Sequence, residues 1–340
     1  MQSRSLILLA SATAVLVAIA IVVLASGDRA VSRAAPGQPA FPALAAKLGD
    51  VASVTVSRNG TTMTFVRDGD SWLAGEKGNY PANAAKISQI VRAMADLTLV
   101  ESKTRNPDLY PRLEVEDPAH GKSALVAVKD KSGEDLAQAI IGKRRYDRLG
   151  AGNDGVYLRK SGEAQTWLAR GTLDPSGDPA SWLDRQIMDI SEKKIAKVTL
   201  TQADGSKLVI GRTAPDAHFA VEDAPADAKF KSESTISGPA GALETLDLDD
   251  VKPAGELPVP DKDVVTASFT TFDGLTVDLR LIERDKSNWV AISATGTGST
   301  ESEAKKIEDK VSHWTYAIPA YKASLLKTKL ADLIEPAKGS

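Results

Sequence analysis

The 340-residue sequence contains no cysteine, and this absence excludes several kinds of site. A chain without thiols forms no disulfide bond, carries no thiolate nucleophile and cannot supply the sulfur ligands of most structural zinc sites. The absence leaves the redox compartment open, because such a chain is compatible with either side of a membrane.

A surplus of basic residues is also missing, since the formal net charge is −3, and aromatic residues make up only 5% of the chain. Nucleic-acid-binding domains normally carry a basic surface, often with aromatic side chains between the charges. We therefore expect no nucleic-acid partner. With 42% hydrophobic and 26% charged residues, the composition is typical of globular proteins, and the length predicts about two domains.

One long apolar run is present, at Leu6–Leu24, and it contains no charged residue. As a helix it would be about 28 Å long, close to the thickness of a bilayer core. We predict a transmembrane anchor at residues 1–25, followed by a flexible linker at residues 26–40 that is rich in small residues and proline. The alternative is a signal peptide cleaved near Val23-Leu24-Ala25. The placement of the run favours a body outside the cytoplasm, although the flanking positive charges are nearly balanced.

Three segments repeat one pattern, in which two runs of alternating apolar residues flank Asn-Gly or Asp-Gly. They are Val54–Arg67, Val198–Arg212 and Ala267–Leu281. Asn, Asp and Gly tolerate positive φ, so these dipeptides predict hairpins closed by tight primed turns. The repetition predicts a duplicated unit of β-hairpin, strand and helix.

The repeats and the segments between them predict an α+β fold with two lobes. The first lobe, residues 41–190, would hold one repeat and a β-rich insert of two hairpins. The second, residues 191–335, would hold the other two repeats. Helices are predicted near Phe41, from Pro81, at Trp182–Ile190, through the spacing of Ala304, Ile307, Val311 and Trp314, and after Pro319.

The strongest resemblance to a cofactor motif is Gly150–Gly155, which satisfies G-x-G-x-x-G. A dinucleotide site requires a helix after this loop, whereas Val156–Arg159 predicts a strand, so the motif favours a hairpin loop. The basic residues Lys143, Arg144, Arg145 and Arg148 could bind an anion, and a solvated basic loop is the alternative.

Other residues capable of chemistry are scattered. The sequence shows no metal-ligand spacing among its three histidines, and the acidic cluster lacks the glycine of a calcium loop. Two tryptophans at matching places in the first and third repeats could stack on a ligand, although core packing is the more common role. We therefore assign no catalytic, cofactor-binding or metal-binding residue. The histidines are His120, His218 and His313, the acidic cluster is Asp247, Asp249 and Asp250, and the two tryptophans are Trp72 and Trp289.

The order of these motifs resembles a bacterial family called domain of unknown function 4340. The resemblance runs over roughly residues 41–333 and depends on FPALAAKLGDVASVTVSRNGTTMTFVRDGDSWLA, IIGKRRYDRLGAGNDGVYLR, WLDRQIMDI and VTLTQADGSKLVIG. Members are typically membrane-anchored and extracytoplasmic, and are often encoded beside ABC transporter subunits of the gliding-motility type. We therefore expect a single-pass protein of the bacterial inner membrane with its body in the periplasm. The resemblance implies no catalytic residue.

The sequence therefore favours a non-enzymatic, membrane-anchored extracytoplasmic accessory protein without a cofactor. Its expected partners are the lipid bilayer, through the anchor, and subunits of an ABC transporter. The alternative is a carbohydrate- or lipid-active hydrolase with carboxylates dispersed along the chain, since such pairs leave no sequence trace. A passive spacer is a third hypothesis.

Overall fold

The computed structural model describes residues 36–146, 154–175, 177–225 and 228–335. The predicted anchor, the first part of the linker and most of the Gly150–Gly155 loop lie outside these ranges. Within them, no helix is both long and apolar enough to cross a membrane.

Strands are the main regular element of the described chain, and they hold more residues than the helices. They are β1 Val51–Arg58, β2 Thr61–Asp68, β3 Ser71–Ala74, β4 Tyr80–Pro81, β5 Thr98–Ser102, β6 Ala124–Asp130, β7 Asp135–Arg145, β8 Gly155–Lys160, β9 Thr166–Arg170, β10 Gln186–Met188, β11 Ile195–Thr201, β12 Lys207–Gly211, β13 Ala220–Val221, β14 Leu246–Asp247, β15 Asp250–Pro253, β16 Val265–Thr271, β17 Thr276–Arg284, β18 Ser287–Thr295 and β19 Trp314–Ile318.

The α-helices are few and mostly short. They are α1 Pro42–Ala46, α2 Ala84–Ala95, α3 Tyr110–Leu113, α4 Glu233–Ser237, α5 Glu301–Val311, α6 Ala320–Leu326 and α7 Leu330–Leu333. The strand pairs are antiparallel, so the structure confirms an α+β fold with mostly antiparallel sheets.

The chain forms two compact units. Among the described residues, the first unit comprises residues 36–67, 85–146 and 154–175, and the second comprises residues 68–84, 177–225 and 228–335. This division differs from the predicted lobes at 41–190 and 191–335, because residues 68–84 group with the second unit and the boundary falls before residue 190.

In the first unit the strands pair in the order β2-β1-β6-β7-β8-β9-β5. The two hairpins predicted for the insert are present as β6–β7 and β8–β9. Helix α2 buries one apolar face, as its spacing predicted, and Leu97 just beyond its end is also buried. The core thus lies between this helix and the inner side chains of the strands, such as Val54 and Phe65.

The second unit contains an eight-stranded sheet, in the order β13-β12-β11-β16-β17-β18-β19-β15, and two small pairs, β3–β4 and β10–β14. An aromatic cluster lies in its core, where the rings of Tyr80 and Trp314 are 4.9 Å apart in an edge-to-face arrangement. Tyr316 approaches the same Tyr80 ring at 6.2 Å. Burial raises the pKa of both tyrosines well above the usual range, so both hydroxyls stay protonated.

The predicted turn type is correct for one repeat and wrong for the other two. In the β1–β2 hairpin both Asn59 and Gly60 have positive φ, as a tight primed turn requires. In β11–β12 and β16–β17 only Gly205 and Gly274 have positive φ, and five residues separate the last register pairs, Thr201 with Lys207 and Thr270 with Thr276. The longer loops are closed by side chains: Asp204 accepts the backbone N–H of Ser206 at 2.9 Å. The second and third repeats therefore share a corner that the first lacks.

The predicted start of α2 at Pro81 and the predicted helix at Trp182–Ile190 are wrong, because partners distant in sequence supply the backbone hydrogen bonds. Pro81 lies in β4, where its carbonyl accepts the N–H of Asp184, and the helix begins only at Ala84. The segment Trp182–Ile190 contains the end of a 3₁₀ helix and strand β10, which pairs with β14. Strand pairing here overrides the local helical spacing.

Two further helix predictions need adjustment. Trp314 begins β19 and is not part of helix α5, which ends at Val311. The predicted closing helix is two short helices, α6 and α7. In the second repeat, the helix of the repeated unit is reduced to α4 and a 3₁₀ helix at Gly238–Leu243.

Candidate functional site

A charged cleft in the second unit is the candidate site, and we call it the paired-charge cleft. Its volume is about 360 Å³. Its lining residues are Lys77, Asp178, Pro179, Ala180, Arg185, Asp249 and Asp250.

A tight turn places Lys77. This residue ends a 3₁₀ helix, Gly75–Lys77, that Gly78 closes in the left-handed conformation, with φ of 66°. A Cβ atom on Gly78 would lie 2.5 Å from Cγ of Pro253, so only glycine allows the backbone to approach β15 this closely. The turn brings Nζ of Lys77 to 2.5 Å from Oδ1 of Asp250.

A second 3₁₀ helix, Pro179–Trp182, places Asp178. The Asp178 carboxylate is its N-cap and accepts the N–H of Ser181 at 2.8 Å. Pro179 suits the first position, where no N–H is needed. The carboxylate is thus held at the mouth of the cleft by a local hydrogen bond.

The backbone links Arg185 to the acidic segment before β15. The N–H of Leu248 donates to the Arg185 carbonyl at 2.9 Å, and Nε of Arg185 donates back to the Leu248 carbonyl at 3.3 Å. This reciprocal pair leaves the outer guanidinium nitrogen 3.7 Å from Oδ1 of Asp249.

The two neighbouring carboxylates have different environments. Asp250 accepts both Lys77 and the N–H of Val251, so its negative charge is well compensated. Burial raises the pKa of Asp249 above its usual value, and the negative charges of Asp178 and Asp247 act in the same direction. The Arg185 guanidinium opposes this rise without cancelling it.

This arrangement can do two things chemically. The ion pairs present a rigid pattern of both charges to a polar partner. A carboxyl group with a raised pKa beside a second carboxylate is also an arrangement that enzymes use for general acid catalysis. No group of three or more Asp, Glu or His residues within the described ranges is arranged to hold a metal ion.

The structure brings together only part of the acidic cluster considered in the sequence. Asp249 and Asp250 line the cleft, whereas Asp247 lies in β14 opposite Gln186. No sequence motif points to Lys77, Asp178 or Arg185 as residues of a site. The Asp-Pro dipeptide at 178–179 is an N-cap signature that could have indicated the first turn of a helix there.

The other candidates lie elsewhere. All three histidines are exposed; His218 contacts Glu233. Trp72 and Trp289 are buried, which confirms core packing for both. Gly155 opens β8, so a strand follows the G-x-G-x-x-G motif as predicted.

Comparison with known proteins identifies one family. The family model described as Domain of unknown function (DUF4340) matches residues 72–251, more than half of the chain. The matched segment includes every charged residue of the paired-charge cleft. No curated protein matches the chain. The chain therefore belongs to the DUF4340 family.

Proposed function

We propose that this chain is a membrane-anchored accessory protein whose body lies in the periplasm of a bacterial cell, where it binds a partner and does not turn over a substrate. The apolar run Leu6–Leu24 supports a single-pass anchor in the inner membrane. The family resemblance supplies the expected partner, an ABC transporter complex.

The observation that carries the proposal is the pairing of charges in the paired-charge cleft. Lys77 is bound to Asp250, Arg185 to Asp249 and to a backbone carbonyl, and Asp178 to the N–H that it caps. A catalytic acid or base must exchange its proton with a substrate. Side chains held by partners of their own protein are better suited to steering and orienting another protein surface.

The partner surface that fits this cleft is polar and carries both charges. Positive groups would face Asp178 and Asp249, and negative groups would face Arg185 and Lys77. Charges in such a partly exposed place contribute mainly to the rate and specificity of association. We therefore expect charge reversal to affect complex formation more than stability.

An affinity purification of the full chain in mild detergent tests this proposal. The variant Arg185→Glu should lose a co-purified permease or ATPase subunit that the unaltered chain retains. Arg280→Glu is the matched control, because Arg280 pairs with Asp261 in the same unit and does not line the cleft. Recovery of no transporter subunit by the unaltered chain, or equal recovery by both variants, would contradict the proposal.

The location is tested separately by reporter fusions at the C-terminus. We expect a reporter that works only in the periplasm to be active and a cytoplasmic reporter to be inactive. The reverse pattern would place the body in the cytoplasm and remove the periplasmic assignment.

A second candidate function is a carbohydrate- or lipid-active hydrolase, and the raised pKa of Asp249 favours it. In that case Asp249 would act as the acid, with Asp178 as the second carboxylate of the cleft. Two results together would select this candidate over the binding protein. Asp249→Asn should abolish turnover of a polysaccharide or phospholipid, and turnover by the unaltered chain should fall as pH rises through the raised pKa of Asp249.

A further inference from the structure

The first unit carries a second cleft, of about 320 Å³, and we call it the basic cleft. Four of its lining residues are basic and two are acidic, so its formal charge is positive although the chain as a whole is negative. The charged residues are Arg58, Lys122, Lys143 and Arg144, with Glu114 and Asp174.

Strand register brings these residues together from distant parts of the sequence. Arg58 ends β1 and lies opposite Ala124, the first residue of β6. Ala124 in turn lies opposite Ile141 in β7. Lys122 precedes β6 by two residues, so it reaches the same corner of the sheet as Lys143.

A β-bulge shapes the floor of the cleft. In the β7–β8 ladder Ile141 lies opposite Leu158 and Arg144 opposite Val156, so β7 holds an extra residue between the two pairs. A bulge re-aims the side chains beside it, which is how Lys143 and Arg144 come to line one cleft.

The backbone behind the bulge is packed tightly. A Cβ atom on Gly142 would lie 2.3 Å from the carbonyl oxygen of Leu113. Glu114, the next residue, has φ of 56°, an uncommon left-handed conformation for a residue with a side chain. A close approach and a strained residue at one cleft are features that cluster at binding sites.

The charges of the basic cleft are only partly compensated. Arg144 pairs with Asp174 at 3.6 Å and stacks near the Tyr146 ring. Nε of Arg58 is buried and has no hydrogen-bond partner among the residues that the structure describes. Within the same ranges, Lys122 and Lys143 form no salt bridge.

A buried donor without an acceptor costs roughly 1–3 kcal/mol, which a ligand oxygen would recover. A guanidinium beside two ammonium groups is the set of donors typical of phosphate sites. The excess of two positive charges in the cleft is opposite in sign to a phosphate group, which near neutral pH carries about −1.5 to −2 as a monoester and less as a diester.

We propose that the basic cleft binds a phosphate group, with the half-buried Arg58 as the donor that lacks an acceptor and Lys122 and Lys143 as the charges that attract it. The group belongs to a soluble phosphate compound or to a phospholipid headgroup, because both present the same oxygens. This site is separate from the paired-charge cleft and does not depend on the function proposed for it.

Calorimetric titration of the full chain in detergent with inorganic phosphate tests the proposal. We expect binding to the unaltered chain and a loss of about tenfold or more in affinity for Arg58→Met. Arg105→Met is the matched control, since Arg105 belongs to the same unit and binds Gln165 outside the cleft. Unaltered affinity in Arg58→Met, or no binding by the unaltered chain, would overturn the proposal.

A second variant keeps the proposal testable if Arg58→Met does not fold. Lys122 is exposed, so Lys122→Gln should weaken phosphate binding without changing thermal unfolding, even if Arg58→Met fails to fold. Equal affinity in Lys122→Gln and the unaltered chain would count against the site.

Titration in nanodiscs identifies the source of the phosphate group. If a headgroup occupies the cleft, inorganic phosphate binds more weakly in discs with phosphatidylglycerol than in discs of phosphatidylcholine alone. This difference should disappear in Arg58→Met. Equal binding in both discs would assign the site to a soluble phosphate compound.

Discussion

The two clefts are both rich in charge, but they differ in how that charge is compensated. In the paired-charge cleft, Lys77 and Arg185 each have a carboxylate partner. In the basic cleft, the buried Nε of Arg58 has no acceptor among the residues described by the structure.

This difference indicates different kinds of ligand. Charges that are already paired gain little from a single ion, and they are better suited to orienting a large polar surface. Charges without partners gain most from a small anion that supplies the missing acceptors.

The largest effect concerns the backbone behind the basic cleft. Gly142→Ala should lower the free energy of unfolding by about 3 kcal/mol, because the new Cβ meets the rigid carbonyl of Leu113. Differential scanning calorimetry measures the change. Gly49→Ala is the control: its Cβ meets nothing within 4 Å, so the transition should stay close to that of the unaltered chain. Equal stability of the two variants would show that the close approach does not exist.

The next effect has the opposite sign. In phosphate-free buffer, Arg58→Met should raise the free energy of unfolding by about 1–2 kcal/mol, because methionine keeps the apolar stem and removes the unsatisfied donor. Urea unfolding with and without phosphate measures it. Phosphate should stabilise the unaltered chain and not the variant. A less stable variant in phosphate-free buffer would mean that Arg58 is already compensated.

In the paired-charge cleft, removing one partner should destabilise the protein. Asp250→Asn leaves Lys77 without its carboxylate, and we expect a loss of about 1 kcal/mol, since the pair is partly exposed. Thermal unfolding at low and high salt measures it, and the loss should shrink as salt screens the pair. If Asp250→Asn loses no stability at low salt, the Lys77–Asp250 ion pair that defines the cleft is contradicted.

The smallest effect depends on pH. The fold raises the pKa of Asp249, so its contribution to stability is full below the ordinary carboxyl pKa of about 3.9 and is lost as pH rises through the raised value. Asp249→Asn, which mimics the neutral form, should therefore be as stable as the unaltered chain or more stable by a few tenths of a kcal/mol at neutral pH, after screening by solvent. The difference should vanish towards pH 4. Chemical unfolding across this range measures it, and a less stable variant at neutral pH would refute the sign.

The features that could be predicted from sequence are those in which the signal is local. Alternating apolar residues around Asn59-Gly60 predicted the first hairpin and its turn, and the spacing from Ile87 to Met94 predicted helix α2. The hairpin positions of the insert followed from the same alternation. Each of these elements makes its backbone hydrogen bonds with neighbours in sequence.

The features that could not be predicted depend on distant partners. The segment from Trp182 to Ile190 has helical spacing but pairs its backbone with β14 about 60 residues later, a choice that no local pattern encodes. The charged clefts are of the same kind. Lys77 lies in a 3₁₀ turn and binds Asp250 in β15, 173 residues later. Arg58 and Lys143 line one cleft although 85 residues separate them. The basic run at 143–145 was visible in the sequence, but its association with Arg58 was not.

Hydrogen–deuterium exchange on the full chain, with and without inorganic phosphate, tests the contrast between the clefts most directly. We predict slower exchange in the phosphate-bound protein at residues 113–124 and 141–146, which surround the basic cleft, and no change at residues 178–185 and 248–252, which surround the paired-charge cleft. Protection at the paired-charge cleft, or no protection at either, would contradict the account.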